Sequence, residues 1–244
     1  MTADEPYYRS ALALVHHLGF RSHADRCASG ILEILSPVRE RDGLVVELGC
    51  GSGALTQHLV EAGHRVIATD ASPAMLDLAR GHVGEAAEIR RLALPDDAMP
   101  RADAIVSVGH VLNYLPTTDA IERALTAIAE ALLEDGVLAL DLCDLTYREA
   151  VSSPSTGAWV EDEWAIVTER SRPAPNRFVR QMAIFVRNDD GSWHRDDERH
   201  ENVLIDVSLV PGRLAKNGVQ AEMRKAFGNE TLPDGLRAII GRRR

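Results

Sequence analysis

Cysteine is scarce in this chain of 244 residues, with Cys27, Cys50 and Cys143 as its only three. They are too few and too far apart for a disulfide framework, and no C-x-x-C pair offers a metal knuckle. A reducing cytoplasm and no metal are therefore expected. Long hydrophobic runs are also missing. Nothing approaches the length that spans a bilayer, and Met1 to Ser10 has no charged-then-apolar leader pattern. Positive charge is outweighed, with 27 Lys and Arg against 37 Asp and Glu, a formal net charge of −10. Nucleic-acid affinity comes mostly from neutralising phosphates, so a polyanionic partner is disfavoured, and Arg242-Arg243-Arg244 reads as a solvated end. The expectation left standing is a small-molecule protein with no nucleic-acid or membrane partner, a monomer or homodimer. Its hydrophobic content of 45% is enough for a real core.

What the chain does have is one organising stretch. An apolar β-run, Leu44 to Leu48, enters Gly49-Cys50-Gly51-Ser52-Gly53 and leaves as a helical pattern with Leu55, Leu59 and Val60 on one face. Strand, glycine turn and helix open a nucleotide-binding βαβ unit, in which glycines let the backbone approach a ligand and the helix aims its free N–H groups at it. Gly49, Gly51 and Ala54 satisfy the dinucleotide pattern G-x-G-x-x-G/A, which leaves an NAD(P)-dependent oxidoreductase open. Glu47 weighs against it. A buried carboxylate at a strand end needs a partner; a pyrophosphate would repel it, whereas a ligand carrying an amino group would be welcome.

Further along, Arg65 to Asp70 is a second short strand ending in an acid about 20 residues past the glycines, the spacing at which a carboxylate reaches both ribose hydroxyls. Ser72-Pro73 then starts a helix, with Ser as N-cap and Pro at N1. Glu47 to Gly53, together with Thr69-Asp70-Ala71-Ser72-Pro73-Ala74-Met75-Leu76, resembles the first and second motifs of the class I S-adenosylmethionine-dependent methyltransferases. The resemblance implies S-adenosylmethionine as cofactor, held by Glu47, Gly49, Cys50, Gly51, Gly53 and Asp70, with Ala71 and Met75 against the adenine. A third strand, Ala87 to Leu94, ends where the family usually carries an acid for the adenine amino group. Here Ala93 and Leu94 stand in that place, and either the Leu94 backbone with packing or Asp96 holds the adenine.

Ala104 to Val108 is a fourth, β-branched strand. It delivers Ser107, Gly109 and His110 beyond the carboxyl ends of the sheet, where open α/β sheets bind ligands. His110 is the expected catalytic residue, because an imidazole handles protons near neutral pH. Asn113 and Tyr114 follow in the same segment and Asp144 follows strand five, all three as expected substrate contacts. The segment lacks the [DNS]-Pro-Pro-aromatic motif of nucleic-acid base methylation and the acid of magnesium-dependent catechol-type enzymes. No Ser/Tyr-x-x-x-Lys hydride-transfer set is present.

Thr117 caps a long amphipathic helix ending at Asp135-Gly136, and Val137 to Leu142 is the fifth strand. The fold class expected is α/β, a Rossmann-like doubly wound sheet of five parallel strands plus a terminal antiparallel hairpin. One domain, 1–244, would comprise a helical preface (1–38), a cofactor-binding core (44–142), an antiparallel β insert (155–207) and a terminal helix and hairpin (208–244). The three insert strands expected are Trp159 to Arg172, Arg177 to Arg187 and Trp193 to Val207. The resemblance makes the preface a lid that brings Tyr7, Tyr8 or His23 to the methyl group or substrate. Methyl transfer to N or O of a small molecule is the expected function. A cofactor-binding module without catalysis is the reading from a different class.

Overall fold

The computed structural model describes residues 7–148 and 154–244. Three N-terminal helices, α1 (Ser10–Gly19), α2 (Ser22–Ile34) and α3 (Ser36–Glu40), precede β1 (Leu44–Leu48). The alternating core continues with α4 (Ala54–Glu61), β2 (Arg65–Asp70), α5 (Pro73–Val83), β3 (Glu88–Arg91), β4 (Ala102–Ser107), α6 (Thr118–Ala131) and β5 (Leu132–Cys143). Then come four antiparallel strands, β6 (Ser155–Val160), β7 (Trp164–Ala174), β8 (Arg177–Arg187) and β9 (Trp193–Val203). Helix α7 (Val210–Lys216), β10 (Val219–Arg224) and β11 (Leu236–Arg243) close the chain.

The main sheet runs β10-β11-β5-β4-β1-β2-β3. Its five core strands are parallel, and β11 returns antiparallel to β5. Strand periodicity sorts the core. Val45, Ala104 and Val106 face α2, α4 and α5 through Ile31, Leu55 and Leu76, whereas Val46, Ile105 and Leu138 face Ile121, Leu125 and Leu214 of α6 and α7. This is a doubly wound sheet, and the carboxyl ends of β1, β2 and β4 converge on one edge.

Three boundaries differ from the sequence reading. Helix α6 stops at Ala131, because Leu132 is already extended and pairs with Ala102. Strand β5 then absorbs the turn residues Asp135 and Gly136 as an irregularity, with Asp135 at positive φ. The first expected insert strand is two strands, since the chain reverses after Val160 and resumes at Trp164.

The insert and the N-terminal helices form one wall. Leu12 and Val15 of α1 pack on Trp164, Ile166, Met182 and Ile184 of the four-stranded sheet. Tyr8 is pinned from both sides: its N–H donates to Glu198 Oε2 at 2.9 Å, and its carbonyl accepts from Ser72 Oγ at 2.7 Å. The preface thereby bridges the insert and the β2 edge of the core. Among the described residues no helix is long and apolar enough to cross a membrane.

Candidate functional site

The glycine turn explains its own composition. Gly49, Gly51 and Gly53 all have positive φ. At Gly49 an added Cβ would lie 2.3 Å from Val111 Cγ2, so any side chain would strike the loop after β4. At Gly51 a Cβ would meet only Met75 Sδ, at 3.9 Å. Its open side is a crevice of about 1040 Å³.

Glu47 lies on the floor of that crevice, 3% exposed. Thr56 Oγ1 donates to its Oε2 at 2.7 Å, and no hydrogen bond among the described residues reaches Oε1. Burial raises its pKa from the ordinary 4.5 to about 7, opposed by the Thr56 hydrogen bond and assisted by Asp70. Asp70 forms the opposite lip. Its Oδ2 accepts from the Gly51 N–H at 2.9 Å and its Oδ1 from the Ser72 N–H at 2.8 Å. Gly49, Cys50, Ala71, Met75, Ala93 and Leu94 line the same crevice, and so does Asp96. A buried carboxylate with a spare oxygen, a side-chain-free turn and a lip acid together fit a ligand with an ammonium group and a ribose.

Glu47 makes a pH prediction. With its folded pKa above the unfolded value, the protonated carboxyl contributes stability that is complete below 4.5 and lost as pH rises through about 7, on the order of 3 kcal/mol. A ligand ammonium needs the ionised form, so below pH 7 its binding must expel a proton. Calorimetry with S-adenosylhomocysteine is expected to show affinity falling up to tenfold per unit as pH drops from 7. Glu47→Gln should abolish that slope.

The second centre is Asp141 on β5, 1% exposed. It accepts three hydrogen bonds: from the Gly109 N–H at 3.1 Å, the His110 N–H at 2.6 Å and His23 Nε2 at 3.0 Å. The adjacent N–H groups of Gly109 and His110, both residues at positive φ, point together at the carboxylate. An imidazole nitrogen facing a carboxylate carries the proton, which leaves His23 Nδ1 as the ring's lone pair. His110 stacks on Tyr114, with ring centroids 5.5 Å apart and planes 11° apart, and its buried Nδ1 has no partner. Burial lowers the His110 pKa to about 4, so its ring is neutral at pH 7.

A second cavity, about 380 Å³, opens beyond this point. It is lined by His110, Tyr147, Phe178, Arg180 and His200 with Trp159 of β6. Tyr8, His16, Phe20, His23, Gly109 and Tyr114 line both cavities and form the wall they share. There the Tyr8 and Tyr114 hydroxyls share a 2.9 Å hydrogen bond, and Arg180 donates to Tyr114 Oη.

The structure thus gathers Glu47, Gly49, Cys50, Gly51, Asp70, Ala71, Met75, Ala93, Leu94, Gly109, His110, Tyr7, Tyr8, His23 and Tyr114 around two joined cavities. Four expected residues line neither. Gly53 packs against Val83, where a Cβ would come within 2.7 Å. Ser107 donates to the Leu48 carbonyl at 3.0 Å. Asn113 clamps Cys143 and Val203 by its amide, and Asp144 accepts from Thr146 and Val207. Each of the four holds the fold that shapes the site. The sequence reading missed Arg180, His200 and Arg170, because strand alternation names a face only once the pairing register is known. It also missed His16, which lines both cavities from α1.

Residues 45–136 match the family model described as a methyltransferase domain. The candidate methyltransferase YqeM of Bacillus subtilis (strain 168) is 26% identical over 198 residues, 78% of this chain and 79% of its own. Among solved structures, the sugar N-methyltransferase KedS8 from Streptoalloteichus sp ATCC 53650 superposes with TM-score 0.77 at 18% identity, covering 100% of this chain and 97% of that one. CalS10 of Micromonospora echinaspora, an amino pentose methyltransferase bound to S-adenosylmethionine, gives TM-score 0.72 at 18% identity over 99% of both chains. At that identity the two structures share the fold.

Proposed function

We propose that this chain is an S-adenosylmethionine-dependent methyltransferase that moves the methyl group onto a nitrogen or oxygen of a small molecule. The observation that carries the acceptor side is the shared wall: beside the large crevice lies a second cavity of about 380 Å³, the size of a small-ligand pocket, and Tyr8, His16, Phe20, His23, Gly109 and Tyr114 line both. In this reading the whole chain works as one domain, with lid and insert roofing a site that the core floors.

The cofactor supplies an electrophilic methyl on a sulfonium. Glu47 would hold its ammonium, the Gly49 to Gly51 turn its backbone-facing side, Asp70 its ribose hydroxyls, and Ala71, Met75 and Leu94 its adenine. Holding donor and acceptor in line is worth roughly 7–11 kcal/mol, more than the 10²–10⁴-fold of a general base. Position therefore comes first. Proton removal falls to His23, whose ring Asp141 orients, while the neutral His110 walls the acceptor cavity beside it. The aromatic wall of Tyr8, Phe20 and Tyr114 keeps water from the reacting atoms.

Calorimetry with S-adenosylhomocysteine against NADH tests the donor assignment. Tight binding of the first and none of the second is expected, and the reverse would reinstate the oxidoreductase reading. Turnover on any acceptor in a metabolite panel would exclude a module without catalysis.

A further inference from the structure

We infer that the acceptor carries a multiply charged anion of phosphate type, held at the far side of the second cavity by Arg148, Arg170 and Arg180. The inference rests on the methyltransferase reading and narrows its substrate.

Register places the charges. Arg170 of β7 sits directly opposite Arg180 of β8, which sits directly opposite His200 of β9. All three line the cavity, together with Arg148 and, from α2, Arg26. Like charges directly opposite on neighbouring strands are destabilising. Among the described residues no Asp or Glu lines this cavity, in a chain where acids outnumber Lys and Arg.

The rest of the same sheet behaves differently. Arg177 and Arg199 pair with Glu201, Arg187 with Glu163 and Arg195 with Asp197. None of Arg26, Arg148, Arg170 and Arg180 has a carboxylate partner among the described residues. What Arg148, Arg170 and Arg180 contact leaves their charge in place. Arg180 donates to Tyr114 Oη, its guanidinium carbon lies 6.0 Å from that ring's centroid, and its Nε has no partner. Arg148 lies 5.7 Å from the Tyr147 centroid. Burial and the neighbouring Arg148 and Arg180 depress the pKa of Arg170, the mark of crowded cations.

Space is left for them as well. A Cβ on Gly157 of β6 would lie 2.9 Å from Arg170 Nη1, so the missing side chain is what lets this guanidinium lie across the strand. Glu198 offers no relief, since both its oxygens are occupied by Tyr8, Arg9 and His200. Guanidinium forks match phosphate oxygens, and several of them around one pocket call for more than one negative charge.

The test titrates inorganic pyrophosphate into full-length enzyme loaded with S-adenosylhomocysteine, which closes the donor crevice to the probe. Wild type is expected to bind it, Arg170→Gln with Arg148→Gln to bind at least tenfold more weakly, and the outer-face variant Arg195→Gln to match wild type. S-adenosylhomocysteine affinity should stay within twofold in all three, which reports intact folding. Equal pyrophosphate binding by wild type and the double variant, or no binding to wild type, would overturn the proposal. So would citrate binding as tightly as pyrophosphate, since that reassigns the cluster to polycarboxylates. Failure of wild type to bind S-adenosylhomocysteine would instead bring down the donor assignment beneath it.

Discussion

Asp141→Asn is expected to lower turnover by roughly 10²–10⁴-fold while S-adenosylhomocysteine affinity stays within a few-fold. The carboxylate now accepts from two backbone N–H groups and from His23 Nε2. An amide of the same shape keeps one acceptor oxygen, which the shortest contact, from the His110 N–H, retains. Its NH₂ then faces His23 and the Gly109 N–H. A donor opposite His23 Nε2 forces the ring into the other tautomer, moves the proton to Nδ1 and leaves no lone pair for the acceptor. The mismatch with Gly109 costs about 1–3 kcal/mol, which a melting curve should register as a drop of several degrees.

A residue that merely braced the loop would add its loss to that of His23. If Asp141 acts through His23, Asp141→Asn and His23→Gln should lose turnover to a similar extent, and the double variant should lose little more than either alone. Asp141→Asn and His110→Ala should instead combine additively, since His110 walls the cavity. Turnover within threefold of wild type in Asp141→Asn would remove proton transfer from this pair.

The crevice half of the candidate site was legible because it is built from local sequence. Glu47, the glycines and Asp70 lie within 24 residues, and each reads from its neighbours: a strand end, a positive-φ turn, a second strand end. Strand and helix order followed from periodicity for the same reason, and the sheet is doubly wound as expected. The acceptor half depends on pairing over long distances in sequence. Asp141 and His23 are 118 residues apart, and Arg170 faces Arg180 only because β7 and β8 pair in one particular register. A slip of one residue would have turned either arginine to the other side of the sheet. Asn113 and Ser107 stand next to the site in the chain, and only the carbonyls they bond reveal that they serve the scaffold.

For Asp70→Ala, a loss of donor affinity on the order of 10²–10⁴-fold is expected. Two effects add. The proposed ribose contact joins two hydroxyls to an ionised carboxylate, and each such hydrogen bond contributes about 1.5–3 kcal/mol. Asp70 also ties the Gly51 N–H and the Ser72 N–H together, across the mouth of the crevice. Without it the glycine turn loses the anchor that holds it open. Burial raises the Asp70 pKa, and those two N–H groups favour its ionised form. Asp70→Asn should therefore fall between wild type and alanine, since its one remaining acceptor oxygen can serve the turn or the ribose but not both. The order wild type, Asn, Ala in S-adenosylhomocysteine affinity, with unchanged pyrophosphate binding in the acceptor cavity, is the pattern this geometry requires. Equal affinity for wild type and Asp70→Ala would move the ribose to another part of the crevice.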